Sequence, residues 1–305
     1  MTCWRSAFFE TPGVWMCEIS IIVVNYNTAG LLVDCLNSVA SQSGLSSEVI
    51  VVDNASDDDS VSLVTNDFPW VKLIVNDHNL GFARANNRAL DISEGKYAYF
   101  LNPDTVVQPG ALEAMADFMT THTDVGLAGT RIMNPDGSPQ SSVEKRYPGQ
   151  KRAKQDLDGL KGDIAWVLGA SMIARTIILQ DLGGFDEDFP LYGEEQDLCL
   201  RIRKAGWKIG FIPNAVVAHW GGQSERKTLA IDVWKKKFAA EALFYGKHYS
   251  RRSIRRIYRA NVVQALWRIF SLKLTLLLCA DKKASLEKLD KYRLALKTFH
   301  FWKFS

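Results

Sequence analysis

From residue 18 onward, short runs of β-branched and other apolar residues alternate with longer stretches whose apolar positions recur at helical spacing. This is the pattern of a parallel sheet joined by crossover helices. It predicts strands at Ile19 to Val24, Glu48 to Val52, Val71 to Val75 and Tyr97 to Leu101. Between them Leu31 to Ala40, Asp57 to Asn66 and Phe82 to Ser93 read as helices, each opening on a polar or glycine-containing segment. Another helix is predicted from about Glu195, with Leu198, Ile202 and Ala205 on one face and Gly206 at its C-terminal stop. From Arg251 a further helical pattern places Ile254, Ile257, Tyr258, Val262, Ala265, Leu266 and Ile269 on one face. Arg251, Arg252, Arg255, Arg256, Arg259 and Arg268 lie mostly elsewhere.

Composition narrows the class. At 305 residues, 47% hydrophobic and 23% charged, the chain falls in the globular range, which excludes disordered, collagen-like and coiled-coil readings. Five cysteines, with no CxxC pair, argue against a disulfide framework or a cysteine zinc site, so a reducing cytoplasm is expected. The longest apolar run, Ile269 to Ala280, contains Lys273 and is too short to cross a bilayer. Residues 1–17 lack the pattern of a secretory leader and are expected to be peripheral, with Met16 an alternative start.

The net charge of +3 hides an asymmetry: residues 251–305 hold 14 Lys or Arg against 3 acids, whereas residues 1–250 hold 23 against 31. A basic helix with Trp267 and Phe270 as anchors fits the interface of an anionic membrane. A dimer or core-packing helix is the alternative. Nucleic-acid binding is discounted, because nothing in the body suggests base readout. The expected location is therefore the cytoplasm, peripherally bound to the inner face of the plasma membrane.

In an open α/β sheet, ligands bind beyond the carboxyl ends of the strands. There the sequence places Asn25-Tyr26-Asn27, Asp53-Asn54-Ala55-Ser56, Asn79-Leu80-Gly81-Phe82 and Asn102-Pro103-Asp104-Thr105. Neither GxGxxG nor GxxxxGK[ST] occurs, so a phosphate group needs another handle. A carboxylate at a strand end can supply it by recruiting a divalent cation that bridges phosphate oxygens, and Asp104 is placed for that. A plain Pro-Asp turn is the other reading of the same residues. Asp53 reads equally as an Asx-turn or helix cap and as a base or ribose contact.

A second acidic cluster, Gly193-Glu194-Glu195-Gln196-Asp197, opens the helix that ends before Gly206. Acids favour a helix start, and Asp197 with Arg201 forms an i, i+4 pair. A carboxylate there that faces the cleft can also serve as general base, which makes Glu195 and Asp197 the candidates. Val143 to Lys161 reads either as a mobile loop over the cleft or as a solvated excursion.

Taken together, VVNYN at 23–27, VVDNASDDDS at 51–60, NLGFARANNRAL at 79–90, LNPDT at 101–105, GGFDE at 183–187 and YGEEQDLCLR at 192–201 resemble the family 2 glycosyltransferases of GT-A fold, most of all the bacterial rhamnosyltransferase branch. The resemblance runs from about residue 18 to residue 224. It implies an α/β fold: a GT-A type, Rossmann-like mixed sheet flanked by helices, with a basic C-terminal helical extension. It divides residues 18–250 into a nucleotide-binding half, 18–105, and an acceptor half, 106–250, followed by the tail 251–305.

By the same resemblance Asp53 contacts the nucleoside, Asn25, Tyr26 and Asn27 lie against the base, and Arg84 approaches the donor. Asn102-Pro103-Asp104 occupies the DxD position, with Asn102 in place of the first acid, so a Mg2+ or Mn2+ ion rests mainly on Asp104. His219 in VVAHWGG completes the metal or diphosphate site, unless it is simply a half-buried strand-end histidine. Glu195, where the family commonly has Asp, is the expected base, with Asp197 its rival. By the family resemblance Trp166 and Gly169-Ala170-Ser171 are expected to begin the acceptor half, with Trp166 stacking on a sugar or filling core. The implied activity is inverting, metal-dependent transfer of a sugar to a lipid-linked saccharide in cell-envelope polysaccharide synthesis. The favoured donor is dTDP-rhamnose. A UDP-hexose or UDP-N-acetylhexosamine donor, or a non-catalytic nucleotide-sugar binding protein, is the alternative.

Overall fold

The computed structural model describes residues 15–221, 229–278 and 283–301. Cys3, Cys279 and most of the N-terminal segment expected to be peripheral lie outside the described residues. The four predicted strands form as β1 (Cys17–Asn25), β2 (Ser47–Asp53), β3 (Lys72–Val75) and β4 (Gly95–Leu101). The helices between them are α1 (Ala29–Ala40), α2 (Ser60–Asp67) and α3 (Phe82–Leu90). Ile19, Ile21, Ile22 and Val23 of β1 and Val49 to Val52 of β2 are all buried, because helices cover both faces of the sheet. Cys17, assigned from sequence to the peripheral segment, is instead the first residue of β1.

The rest of the sheet is mixed. It comprises β5 (Thr105–Val107), β6 (Val125–Met133), β9 (Ser171–Arg175) and β10 (Lys208–His219), while β7 (Val143–Glu144) and β8 (Trp166–Val167) form a separate antiparallel pair. The strand order is β3-β2-β1-β4-β9-β6-β10-β5. Strands β3, β2, β1 and β4 are parallel neighbours, and β9 joins β4 antiparallel. Chain order reverses between β1 and β4, so a crevice opens beyond their carboxyl ends. Helices α4 (Ala111–Thr121), α5 (Thr176–Leu182) and α6 (Glu194–Lys204) complete the flanking layers. In α6, Leu198, Cys199 and Ile202 are buried, whereas Ala205 lies just past the helix and is exposed.

The segment 143–161 is neither a free lid nor a solvated excursion. Tyr147, Ala153 and Leu157 are buried against α7 (Ala230–His248) and α8 (Arg251–Leu278), and the Tyr147 hydroxyl donates to the Ala165 carbonyl at 2.5 Å. Trp166 is half-buried, and its indole N–H donates to the Arg146 carbonyl.

The tail departs most from expectation. The apolar face assigned to a membrane is largely used inside the molecule: Ile254 and Ile257 pack with Tyr147, Phe244, Tyr245 and Tyr249. Tyr258 and Val262 pack with Phe238, Leu294 and Ala295, the last two from α9 (Lys283–Phe301). On the opposite face Val263, Leu266, Trp267, Phe270 and Leu274 are all more than half exposed. They form one stripe at i, i+3, i+4, i+7 and i+11. Among the described residues no helix is long and apolar enough to cross a membrane.

Candidate active site

A cavity of about 990 Å3 opens at the crevice beyond β1 and β4, large enough for a nucleotide sugar. Tyr26, Asn54, Asn79, Gly81, Asn102 and Asp104 line one wall, Glu194 and Glu195 another, with His219 and the α7 residues Lys235, Lys236, Ala239, Ala240 and Leu243 also at its surface. Of the predicted site residues, the structure thus gathers Tyr26, Asn102, Asp104, Glu195 and His219. Asn25, Asn27, Asp53, Arg84 and Asp197 stand outside the lining.

Asn25 and Asp53 are struts beneath the wall. The Asn25 amide donates to Asp53 Oδ2 at 2.8 Å, while the Ser56 backbone N–H and hydroxyl donate to Asp53 Oδ1 and Oδ2 at 2.8 and 2.7 Å. Thr28 donates to Asn25 Oδ1, closing the network. Asp53 is 1% exposed, and its carboxylate already accepts three hydrogen bonds from Asn25 and Ser56. Asn27 adopts φ +54° and accepts from the Asp57 N–H, tying the β1 loop to the β2 loop. Arg84 pairs with Glu187 at 3.2 Å, with both side chains about half exposed, and a pair so solvated adds little stability.

Asn54 was not among the predicted site residues, yet it organises the third loop. It accepts from Asn76 Nδ2 and the Leu80 N–H and donates to Asn79 Oδ1 and the Gly81 carbonyl. Gly81 sits at φ +83°, where a Cβ would lie 2.7 Å from the Pro190 carbonyl oxygen. Only glycine therefore fits this turn.

Asp104 and His219 are far apart in sequence and meet through the sheet. Antiparallel pairing of β5 with β10 sets Thr105 opposite His219, and the Trp220 N–H donates to the Asp104 carbonyl at 3.0 Å. The imidazole Nε2 lies 3.3 Å from Asp104 Oδ1, yet it is buried without a hydrogen-bond partner. A buried nitrogen left unsatisfied beside a carboxylate fits a cation site. Among the described residues no three His, Cys, Asp or Glu side chains converge on one point. A divalent ion here would take Asp104 and His219 as its protein ligands, with phosphate and water oxygens completing the shell.

The opposite wall is the start of α6. Two consecutive left-handed residues, Tyr192 (φ +69°) and Gly193 (φ +87°), turn the chain sharply so that Glu194 and Glu195 enter the cavity surface. A non-glycine residue at φ > 0 beside a cavity is local strain of the kind found at functional sites. Both carboxyls are almost fully buried. Burial pushes Glu195 up to about 7, against the lowering effect of N–H groups at the helix start and of Lys237. Burial first, and then the neighbouring Glu195 charge, push Glu194 well above the ordinary carboxylate range; its Oε2 has no hydrogen-bond partner.

Asp197 points the other way. Its Oδ2 is 2.7 Å from Arg201 Nε and its Oδ1 is 2.7 Å from His248 Nε2 on α7. Arg201 also donates to the carbonyls of Leu182 and Gly184, fastening α6 to the end of α5. With both oxygens occupied, only 1% of the residue exposed and no place in the cavity lining, Asp197 fastens α6 to its neighbours.

The buried Glu194 and Glu195 carboxyls thus face Asp104 and His219 across one nucleotide-sized cavity, at the edge of a Rossmann-like mixed sheet of GT-A type. The profile of glycosyl transferase family 2 matches residues 20–179, and the chain belongs to that family. It is 26% identical over 231 residues to the N-acetylglucosaminyl-diphospho-decaprenol L-rhamnosyltransferase of Mycobacterium tuberculosis, covering 66% of this chain and 75% of the relative. Among solved structures, a mannosyltransferase from Pyrobaculum calidifontis in complex with GDP-Man and Mn2+ superposes with TM-score 0.60 at 17% identity, covering 96% of this chain and 89% of that one. TarS of Staphylococcus aureus in complex with UDP-GlcNAc gives TM-score 0.57 at 21% identity, covering 92% and 80%. At these identities the structural likeness establishes the fold.

Proposed function

We propose that this glycosyltransferase moves L-rhamnose from dTDP-rhamnose to a lipid-linked saccharide with inversion at the anomeric carbon, in the assembly of a cell-envelope polysaccharide. The observation that carries the reaction type is the buried Glu195 carboxyl, with a proton affinity near neutrality, facing Asp104 and His219 across one cavity. In the reaction Glu195 takes the proton of an acceptor hydroxyl. The acceptor oxygen bonds to the anomeric carbon as the bond from that carbon to the diphosphate oxygen breaks, and the electron pair leaves with the nucleoside diphosphate. No covalent enzyme intermediate is required. A divalent cation, Mg2+ or Mn2+, held by Asp104 and His219 would offset charge gathering on the departing diphosphate.

The donor and acceptor assignments draw on the mycobacterial relative, whose name specifies a rhamnosyl transfer to a decaprenol-linked sugar. The α7 wall suits such an acceptor, with small apolar Ala239 and Ala240 beside Lys235 and Lys236. The exposed stripe on α8 supports membrane association. Arg252, Arg256 and Arg259 continue its line toward the N-terminus of the helix, giving a face that is basic at one end and apolar at the other. This surface, which keeps the expected anchors Trp267 and Phe270 but not the Ile254, Ile257, Tyr258 and Val262 face, would address an anionic leaflet at the cytoplasmic side.

Calorimetry with dTDP-rhamnose, UDP-glucose and UDP-N-acetylglucosamine, each with Mn2+ or chelator, tests the donor and the ion together. The expected result is binding of dTDP-rhamnose that needs Mn2+ and is lost in Asp104→Ala. Preference for a UDP sugar would replace the donor, and equal affinity in chelator would remove the ion.

A further inference from the structure

The hydrogen bonds around His219 have a direction, which can be read from a carboxylate outward. After β6 the chain makes a tight reversal through Asn134-Pro135-Asp136-Gly137-Ser138. The Ser138 carbonyl accepts from the Asn134 N–H, and Gln140 returns beside β6 with its N–H on the Ile132 carbonyl. Within this turn the Ser138 hydroxyl lies 2.6 Å from Asp136 Oδ1. An ionised carboxylate only accepts, so the hydroxyl donates to it and offers a lone pair to Asn134 Nδ2 at 2.9 Å. That turns Asn134 Oδ1 toward Gln140, whose Nε2 donates to it at 3.3 Å. Gln140 Oε1 is then the atom that faces His219 Nδ1, at 2.8 Å. An amide oxygen only accepts, so Nδ1 carries the proton.

We infer that Gln140 is a positioning residue that holds His219 as the Nδ1–H tautomer and so presents the Nε2 lone pair toward Asp104. The relevance to a cation rests on the metal site of the proposed function; the tautomer itself does not. A neutral histidine side chain without a directing partner favours the Nε2–H form, which would point a proton at the place a cation must occupy. Nε2 is buried and unpartnered, as a lone pair awaiting a positive ligand would be. Hydrogen bonding of the distal nitrogen is the usual means of fixing a metal-binding imidazole. Nothing in the local sequence signals this role, because Gln140 reaches His219 only through β6 and β10 lying side by side.

The test is 15N NMR of His219 in the metal-free protein at pH 8.5, together with Mn2+ affinity in the presence of dTDP followed by electron paramagnetic resonance. In the wild type, Nε2 should be unprotonated and Nδ1 protonated. Gln140→Leu should shift the ring toward Nε2–H and weaken Mn2+ binding by about 10- to 100-fold. Gln140→Glu, whose carboxylate still accepts from Nδ1–H, should restore the tautomer and most of the affinity. An Nε2–H ring in the wild type, or a tautomer unmoved by Gln140→Leu in a folded protein, would overturn the inference. If the tautomer responds as stated while neither the wild type nor Asp104→Asn binds Mn2+, the metal assignment fails and the positioning of His219 stands.

Discussion

Glu195 and Asp197 leave the same helix two residues apart, and their surroundings differ in the features that govern a carboxyl group. Glu195 faces the cavity, where burial pushes its proton affinity up to about 7 against the lowering effect of helix-start N–H groups and of Lys237. Asp197 faces the protein, with one oxygen on Arg201 and the other on His248. One side of α6 thus presents a buried carboxyl to the cavity, and the other fastens the helix; under the proposed function the first is the base and the second keeps it in place. Environment rather than residue type divides the roles.

Exchanging the two carboxyls for neutral side chains should separate chemistry from stability. Glu195→Gln is expected to lower the transfer rate by about 10^2- to 10^4-fold with donor affinity retained. Loss of donor binding along with the rate would place Glu195 in the donor site instead. The variant should also gain stability over the wild type at pH 8 but not at pH 4. The raised proton affinity of Glu195 favours the folded state at acid pH, and that contribution is lost as pH rises from the unfolded-state value through about 7. Asp197→Ala should instead cost about 3 kcal/mol in chemical denaturation, the low end for a broken buried pair because Arg201 is one-fifth exposed. Unchanged stability with lost turnover would exchange the roles.

A smaller effect is expected at the tail. Trp267→Glu and Phe270→Glu each remove an exposed apolar side chain from the α8 stripe and should weaken binding to anionic vesicles by roughly tenfold or more. Folding should be preserved, because these side chains point away from the buried face. Substitution at Ile257, which is 2% exposed, should destabilise the protein instead. Vesicle binding that survives both glutamate substitutions would refute the stripe as the contact surface.

How far each region was legible from sequence follows from the same physics. The parallel half announced itself because strands buried on both faces must be continuous apolar runs, as in Ile19 to Val24. The rest of the sheet did not: β10 contains Pro213 and a register shift between Ile212 and Val216, and β6 is diluted by Gly126, Gly129 and Thr130. The loops carrying Asn102, Asp104 and Glu195 were legible as motifs. The orientation of Asp197 was not, because its partner His248 lies on a distant helix. Asn54 stood in a motif already noted, but only the fold shows that it organises the loop around Asn79 and Gly81. The α8 helix carries apolar residues on two faces, and sequence periodicity alone does not say which face the protein keeps for itself.

The most direct test of a cavity-facing proton acceptor on α6 is the pH dependence of sugar transfer at saturating donor and acceptor. The base must be unprotonated, so the rate should be low in acid and rise with an apparent pKa near 7, and that ionisation should vanish in the residual activity of Glu195→Gln. A rate independent of pH between 5.5 and 8.5 (about 1.5 units either side of 7, where the base goes from mostly protonated to mostly free), with the chemical step shown to be limiting, would contradict the account.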